Sequence, residues 1–322
     1  MVPSLPMWYY IASFLVAFLL AYGSIPFIRR WALKIGFVDR PNHRKIHTQP
    51  VPLLGGLSIY FSFVVTAGLF GPGGHTFWGI ALGGLFIFAI GILDDYYKTH
   101  GKDFKAWPKL LTQVLAACIL VLFGININGV NLPFQHGYFA FPLWLSVPAT
   151  VLWVVAITNM INFLDGVDGL AAGLSAISAV TLFFIAMLKG QTAMAVFAIV
   201  LMGSALGFLR HNFFPARIFM GDAGATFLGY VLAAIAVDGA FKSATLVSLV
   251  VPVLALGVPI LDTLWVMIRR FRENRPLYVA DKGHTFHMLM RAGLSQIQTV
   301  VFLYLVGICF SLTSIVIQLV AR

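Results

Sequence analysis

Ten apolar runs constrain this chain more than anything else in it. They fall at roughly 8–28, 51–70, 77–93, 107–124, 143–161, 170–188, 191–209, 223–238, 243–268 and 297–320. A helix needs about 20 residues to cross a bilayer core, and most of the runs are near that length; the one at 223–238 is short. Of the 322 residues, 60% are hydrophobic and only 10% charged, which excludes an ordinary soluble protein. The fold class expected is an all-α polytopic membrane protein with about ten transmembrane helices. Nothing between the runs is long enough for a soluble domain, so residues 1–322 form a single integral membrane domain. The first run has no basic stretch before it and reads as a retained span, not a cleaved signal.

Orientation follows from Lys and Arg. With the N-terminus outside and strict alternation, 18 of the 21 basic residues lie in inside loops, leaving Lys189, Lys242 and Arg322 outside. The opposite orientation violates the positive-inside rule. The net charge of +10 therefore marks a cytosolic face against anionic lipid headgroups, and points away from nucleic acid. Cys118 and Cys309 both lie within apolar runs, so neither a disulfide framework nor a zinc pattern is expected. The outside segment 125–141, with Gly, Asn and Pro among alternating apolar residues, reads as a short periplasmic hairpin.

The acids carry the chemistry. All but Asp238 fall in cytosolic loops or near cytosolic helix ends, where a charge costs less than at mid-membrane. Ten of the eleven are Asp, the shorter and stiffer metal ligand. The stretch Asn159 to Gly173, NMINFLDGVDGLAAG, offers Asn162, Asp165 and Asp168 at spacings of three, which share one face if the stretch opens a helix. Carboxylates gathered in this way repel unless a cation, a proton or a ligand's donors offset them, and they suit Mg²⁺. A capped polar turn is the plainer account of the same residues.

Other inside loops repeat the pattern. In GILDDYYKTHGKDFKAWPK, Asp94 and Asp95 point about 100° apart on a helix, which suggests a division of labour between a metal and a proton or lysine. Lys98, Lys102, Lys105 and Lys109 follow, enough positive charge to hold a diphosphate. RHNFFPARIFMGDAG brings Asn212 and Asp222, with Phe219 placed to stack on a planar ring. The first inside loop, RPNHRKIHTQP, offers Lys45 and His47 as anion or nucleotide contacts, beside its plainer role as a positive anchor. Asp262, two turns before Arg269, is expected to pair with a loop arginine. In the last loop His284 and His287 are three apart with Arg291 a turn further on; phosphate or sugar contacts suit them better than zinc.

In this order RPNHRKIH, LDDYYK, NFLDGVDGL, HNFFPARIFMGDAG, PILDT and DKGHTFH cover most of the chain. The chain resembles the polyprenyl-phosphate N-acetylhexosamine-1-phosphate transferases, multi-pass enzymes of the bacterial inner membrane with a cytosolic active site. The resemblance implies transfer of a sugar 1-phosphate, by default from UDP-GlcNAc, to undecaprenyl phosphate. UMP is released, and Mg²⁺ is required, with Mn²⁺ as a substitute. That would be the first membrane step of a cell-envelope glycan such as teichoic acid or lipopolysaccharide, by an enzyme commonly found as a homodimer. It further implies catalytic roles for Asp94, Asp95 and Asp165, with Asp94 activating the lipid phosphate, and a metal held by Asp222 and Asp95. Asn162 and Asp168 would lie near metal and nucleotide, Asp168 toward the uracil on which Phe219 stacks. Lys109 and Asn212 would contact the diphosphate and metal site. His284 and His287 match the first and last His of an HxHH motif whose third position here is Phe286. Losing that donor suggests easier acceptance of a 6-deoxy sugar such as FucNAc or QuiNAc.

Three rivals fit less well. A CDP-alcohol phosphotransferase needs an Arg where Gly173 stands, and a second Asp pair downstream. A phospho-MurNAc-pentapeptide translocase carries a His-rich loop that this chain lacks. A transporter would place acids near mid-membrane and often show internal repeats; Asp262 is the one feature in its favour.

Overall fold

A computed structural model describes residues 5–39, 50–131, 138–239, 246–274 and 283–321. The chain begins with α1 (Met7–Ile35), which ends where Gly36, at φ 73°, turns its N–H back onto the carbonyls of Ala32 and Leu33. A short antiparallel pair, β1 (Val38–Asp39) and β2 (Val51–Pro52), leads into α2 (Gly55–Phe70). Next come α3 (His75–Thr99), α4 (Ala106–Leu122) and an antiparallel hairpin of β3 (Gly129–Asn131) and β4 (Tyr138–Ala140). The hairpin lies where the 125–141 segment was expected to form one. The two small pairs are the described exceptions to an all-helical chain.

The second half runs through α5 (Leu143–Phe163), α6 (Leu170–Leu188), α7 (Thr192–Asn212), α8 (Gly221–Gly239), α9 (Leu246–Ala255) and α10 (Gly257–Arg272). It closes with α11 (Thr285–Arg291) and α12 (Gln296–Val320). Among the described residues, seven helices are long and apolar enough to cross a membrane, or eight if α9 and α10 count as one. α2 and α4 are apolar but shorter, at 16 and 17 residues. The ninth apolar run, expected to be one span, is broken at Leu256, where α10 leaves α9 at 85°.

α8 is the axis of the molecule. The run that read as short from the sequence forms a 19-residue helix, one of the seven long enough to cross, and is almost entirely buried in protein, against α2, α3, α5, α6 and α7. It meets helices instead of lipid, and small residues let those helices approach. A Cβ added at Gly91 of α3 would stand 2.4 Å from Ala223 Cα, and one at Gly56 of α2 would stand 2.4 Å from Gly224 N. Helix association in membranes relies on such close backbone approach, because lipid is as apolar as Leu and gives little hydrophobic drive. Where α3 and α8 touch, the C-terminal residues of one meet the N-terminal residues of the other, and that contact positions the site.

Candidate active site

The aspartate pair of α3 divides its work as its geometry demands. Asp95, fully buried, accepts the backbone N–H groups of Asp222 at 2.9 Å and Ala223 at 3.1 Å. These are among the first-turn donors of α8, which no intrahelical carbonyl can satisfy, and a carboxylate there is favoured by the helix dipole as well. Gly221 turns the chain into that helix at φ 69°, and a Cβ there would lie 2.3 Å from Asp95 Oδ2. Asp94 points to α4, where Lys109 Nζ donates to its Oδ2 at 2.7 Å.

Asp222, in the first turn of α8, is the meeting point. Its carboxylate receives hydrogen bonds from both Lys98 and Lys109. Lys98 Nζ also stands 3.4 Å from Asp94 and 3.9 Å from Asp95. Two ammonium groups thus face three carboxylates. Sequence reasoning noted Lys98 without singling it out; its spacing of three and four residues from the aspartate pair on one helix was the available signal.

The NFLDGVDGL stretch corrects an expectation. α5 ends at Phe163 and α6 begins at Leu170, so Asp165 and Asp168 lie in the turn between them and share no helix face with Asn162. Asp168 Oδ2 accepts the N–H of Ala216 at 2.9 Å. Asn212 is buried, with its Oδ1 accepting Gly169 N–H and its Nδ2 donating to Ile218, both at 3.0 Å. Asn212 therefore braces two loops against each other. Burial, then the charges of Asp222 and Asp95, push the Asp165 carboxyl well above the usual carboxylate range. Tyr304 of α12, which sequence reasoning missed and no motif marks, donates to Gly169 O at 2.6 Å.

A cavity of about 1050 Å³ opens over these groups. Asp95, Lys98, Asp165, Asp168, Asn212, Phe219, Asp222 and His287 line it, and Arg29, Lys102 and Arg217 give it a basic rim. Asp94 and Lys109 reach it through Asp222. Asn162, His284 and Arg291 are not among its lining residues. Lys45 and His47 lie outside the described residues.

Two readings of the last loop change. Among the described residues Asp262 pairs with no arginine: its Oδ2 is 2.7 Å from His284 Nδ1, and its Oδ1 accepts Thr285 N–H at 2.6 Å. Chain folding, not helix spacing, supplies these partners. Phe286 does not face a sugar pocket. It is 2% exposed, packed beside the rings of His284 and His287 and against Gly166, so it is a core residue under the Asp165 loop.

Among the described residues no three His, Cys, Asp or Glu side chains form a ready metal cage. Mg²⁺ does not ask for one: it keeps several waters and takes one or two carboxylates plus substrate phosphates. Asp222 fits that demand, because its carboxylate is met by side-chain ammonium groups and not by backbone donors, and it faces the cavity. Asp95 fits it less well, with its oxygens held on fixed backbone donors.

The model of the family described as glycosyl transferase family 4 matches residues 77–240. The chain is 40% identical to the "Probable undecaprenyl-phosphate N-acetylglucosaminyl 1-phosphate transferase" of Bacillus subtilis strain 168, over 96% of this chain and 85% of the relative. It is 33% identical to the decaprenyl-phosphate N-acetylglucosaminephosphotransferase of Mycolicibacterium smegmatis, over 91% and 79%. It is 29% identical to the undecaprenyl-phosphate alpha-N-acetylglucosaminyl 1-phosphate transferase of Escherichia coli strain K12, over 87% and 76%.

Proposed function

This chain belongs to glycosyl transferase family 4, and from that premise we propose that it transfers N-acetylglucosamine 1-phosphate from UDP-GlcNAc to undecaprenyl phosphate at the cytosolic face of a bacterial inner membrane. The products are undecaprenyl-diphospho-GlcNAc and UMP, and the lipid-linked sugar starts a cell-envelope glycan. The observation that carries the reading is the Asp222 centre: a carboxylate between Lys98 and Lys109, at the base of a polar cavity in a bundle of apolar helices. The names of the relatives support the polyprenyl acceptor and the sugar.

The reaction gathers negative charge. An oxygen of the lipid phosphate attacks the β-phosphorus of the UDP-sugar, and the bond from that phosphorus to the bridging oxygen breaks, leaving with UMP. Such a transfer depends mostly on positioning and charge neutralisation. Lys98 and Lys109 supply two fixed positive charges beside the incoming phosphates. Asp94 holds Lys109, and Asp95 holds the start of α8, so the two aspartates act by placing Lys109 and Asp222. Asp168 and Phe219 line the same cavity, where a carboxylate acceptor and an aromatic ring would suit a uracil. Asp222 would hold Mg²⁺, which when bound offsets phosphate charge as a Lewis acid.

The test is release of UMP by purified protein across a panel of UDP-sugars, with and without undecaprenyl phosphate. UMP formed only with the lipid, and fastest from UDP-GlcNAc, supports the reading. Lipid-independent release, or none from any donor, overturns it.

A further inference from the structure

α11 is a seven-residue helix, too short to hold itself together in isolation. Its N-cap residue, His284, makes no side-chain capping bond. The cap comes from another helix. Asp262 of α10, buried at 4% exposure, takes Thr285 N–H with one oxygen and His284 Nδ1 with the other. Two turns along the same face of α10, Arg269 lies against Gly283, where a Cβ would stand 2.0 Å from its guanidinium nitrogen. α10 itself starts at the 85° break after α9.

What α11 then carries faces the site. Phe286 stacks parallel to His284, with ring centroids 5.6 Å apart and an 8° interplanar angle, and meets His287 at 4.3 Å. The far end of its ring lies under Gly166, where an added Cβ would be 2.7 Å from Cζ. Gly166 sits beside Asp165 and two residues from Asp168, and all three line the cavity together with His287. One continuous column of contacts therefore runs from α10 to the carboxylate loop.

We propose that Asp262 is a positioning residue: acting through His284, Thr285 and Phe286, it sets the height of the Asp165–Asp168 loop and presents His287 to the cavity. Asp262 touches no substrate, and its effect reaches the reaction only through that column. The kinetic half of the proposal rests on the transferase reading above; the structural half does not.

Hydrogen exchange separates the two. In Asp262→Ala and in Phe286→Ala, amides of 164–169 should exchange at least about tenfold faster than in wild type, while those of 55–63 keep their rate. Asp262→Asn, which keeps an acceptor for Thr285, should fall between and guards against loss of fold. In the lipid-dependent UMP assay, each alanine variant should lose about 10–100-fold in kcat/KM, the usual scale for groups that orient a site from behind. The double variant should lose no more than about threefold beyond the worse single, since both break one column. Unchanged exchange at 164–169 in every variant would overturn the proposal, as would losses that multiply in the double variant. Faster exchange at 164–169 with a wild type that releases no UMP supports the column and sinks the transferase reading instead.

Discussion

Asp95 accepts the backbone N–H of Asp222 at 2.9 Å, across the contact between the end of α3 and the start of α8. The two aspartates therefore divide structure from chemistry. Removing the Asp95 carboxylate leaves two first-turn N–H groups without their acceptor, at about 1–3 kcal/mol each. Asp95→Ala should lower the melting temperature in detergent by several degrees. Asp222→Ala removes a cavity-facing side chain and leaves both backbone bonds to Asp95 in place, so it should melt closer to wild type than Asp95→Ala while turnover falls at least about 10²–10³-fold. Thermal denaturation of both variants beside the UMP assay decides it; the reverse ranking in stability would be incompatible with the division.

The metal prediction turns on the same carboxylate. Chelation should abolish UMP release, and Mg²⁺ or Mn²⁺ should restore it. A ligand that binds only the folded state stabilises it by RT ln(1 + [L]/Kd), so Mg²⁺ at about 100 times its Kd should add about 2.7 kcal/mol to wild type. Asp222→Ala should lose that increment. An equal Mg²⁺-dependent shift in the variant would move the metal elsewhere.

Much of this arrangement was legible in the sequence because its pieces are local. The apolar runs locate the helices, and Asp94, Asp95, Asp165, Asp168, Asn212 and Asp222 all end a helix, begin one or join two at the basic end. What was hidden is long-range pairing. That Asp262 takes His284, 22 residues on, depends on the break at Leu256 and on the fold-back into α11. A 3.6-residue period put Asn162, Asp165 and Asp168 on one face, but Gly169 at φ 80° closes a turn there. Phe286 read as a substrate-facing change because a motif records residue type and not burial.

The α3–α8 contact predicts an intolerant glycine. A Cβ at Gly91 would meet Ala223 Cα at 2.4 Å and its nitrogen at 2.6 Å, both backbone atoms that cannot swing aside. Overpacking of this kind costs about 1–3 kcal/mol and sometimes more. Gly91→Ala should reduce the yield of monodisperse protein and its melting temperature. By contrast, Gly23→Ala, with nothing within 4 Å of its added Cβ, should behave as wild type. Equal behaviour of the two variants would refute the close contact.

Charge distribution predicts the topology. A reporter inserted within 98–106 should read as cytosolic, and one fused after Arg322 as periplasmic, if the crossings are even in number, as the ten expected from the sequence are. A cytosolic C-terminus would require an odd number of crossings, and the bent α9–α10 pair would be the first place to look for the discrepancy.

Phe286→His gives the sharpest test of how the last loop works. Were residue 286 at the sugar, restoring a histidine would favour a donor with a 6-hydroxyl, and the preference for UDP-GlcNAc over UDP-QuiNAc would rise. The ring is instead buried beneath Gly166 and beside two histidines. An imidazole there is smaller than the phenyl ring, and its nitrogens would be buried where Phe286 now makes only ring and van der Waals contacts. Phe286→His should therefore slow both donors by a similar factor, about 10-fold or more, on the scale of other groups that support a site from behind. The kcat/KM ratio between the donors should stay within about twofold of wild type. A change in that ratio comparable to the loss in rate would return Phe286 to the sugar.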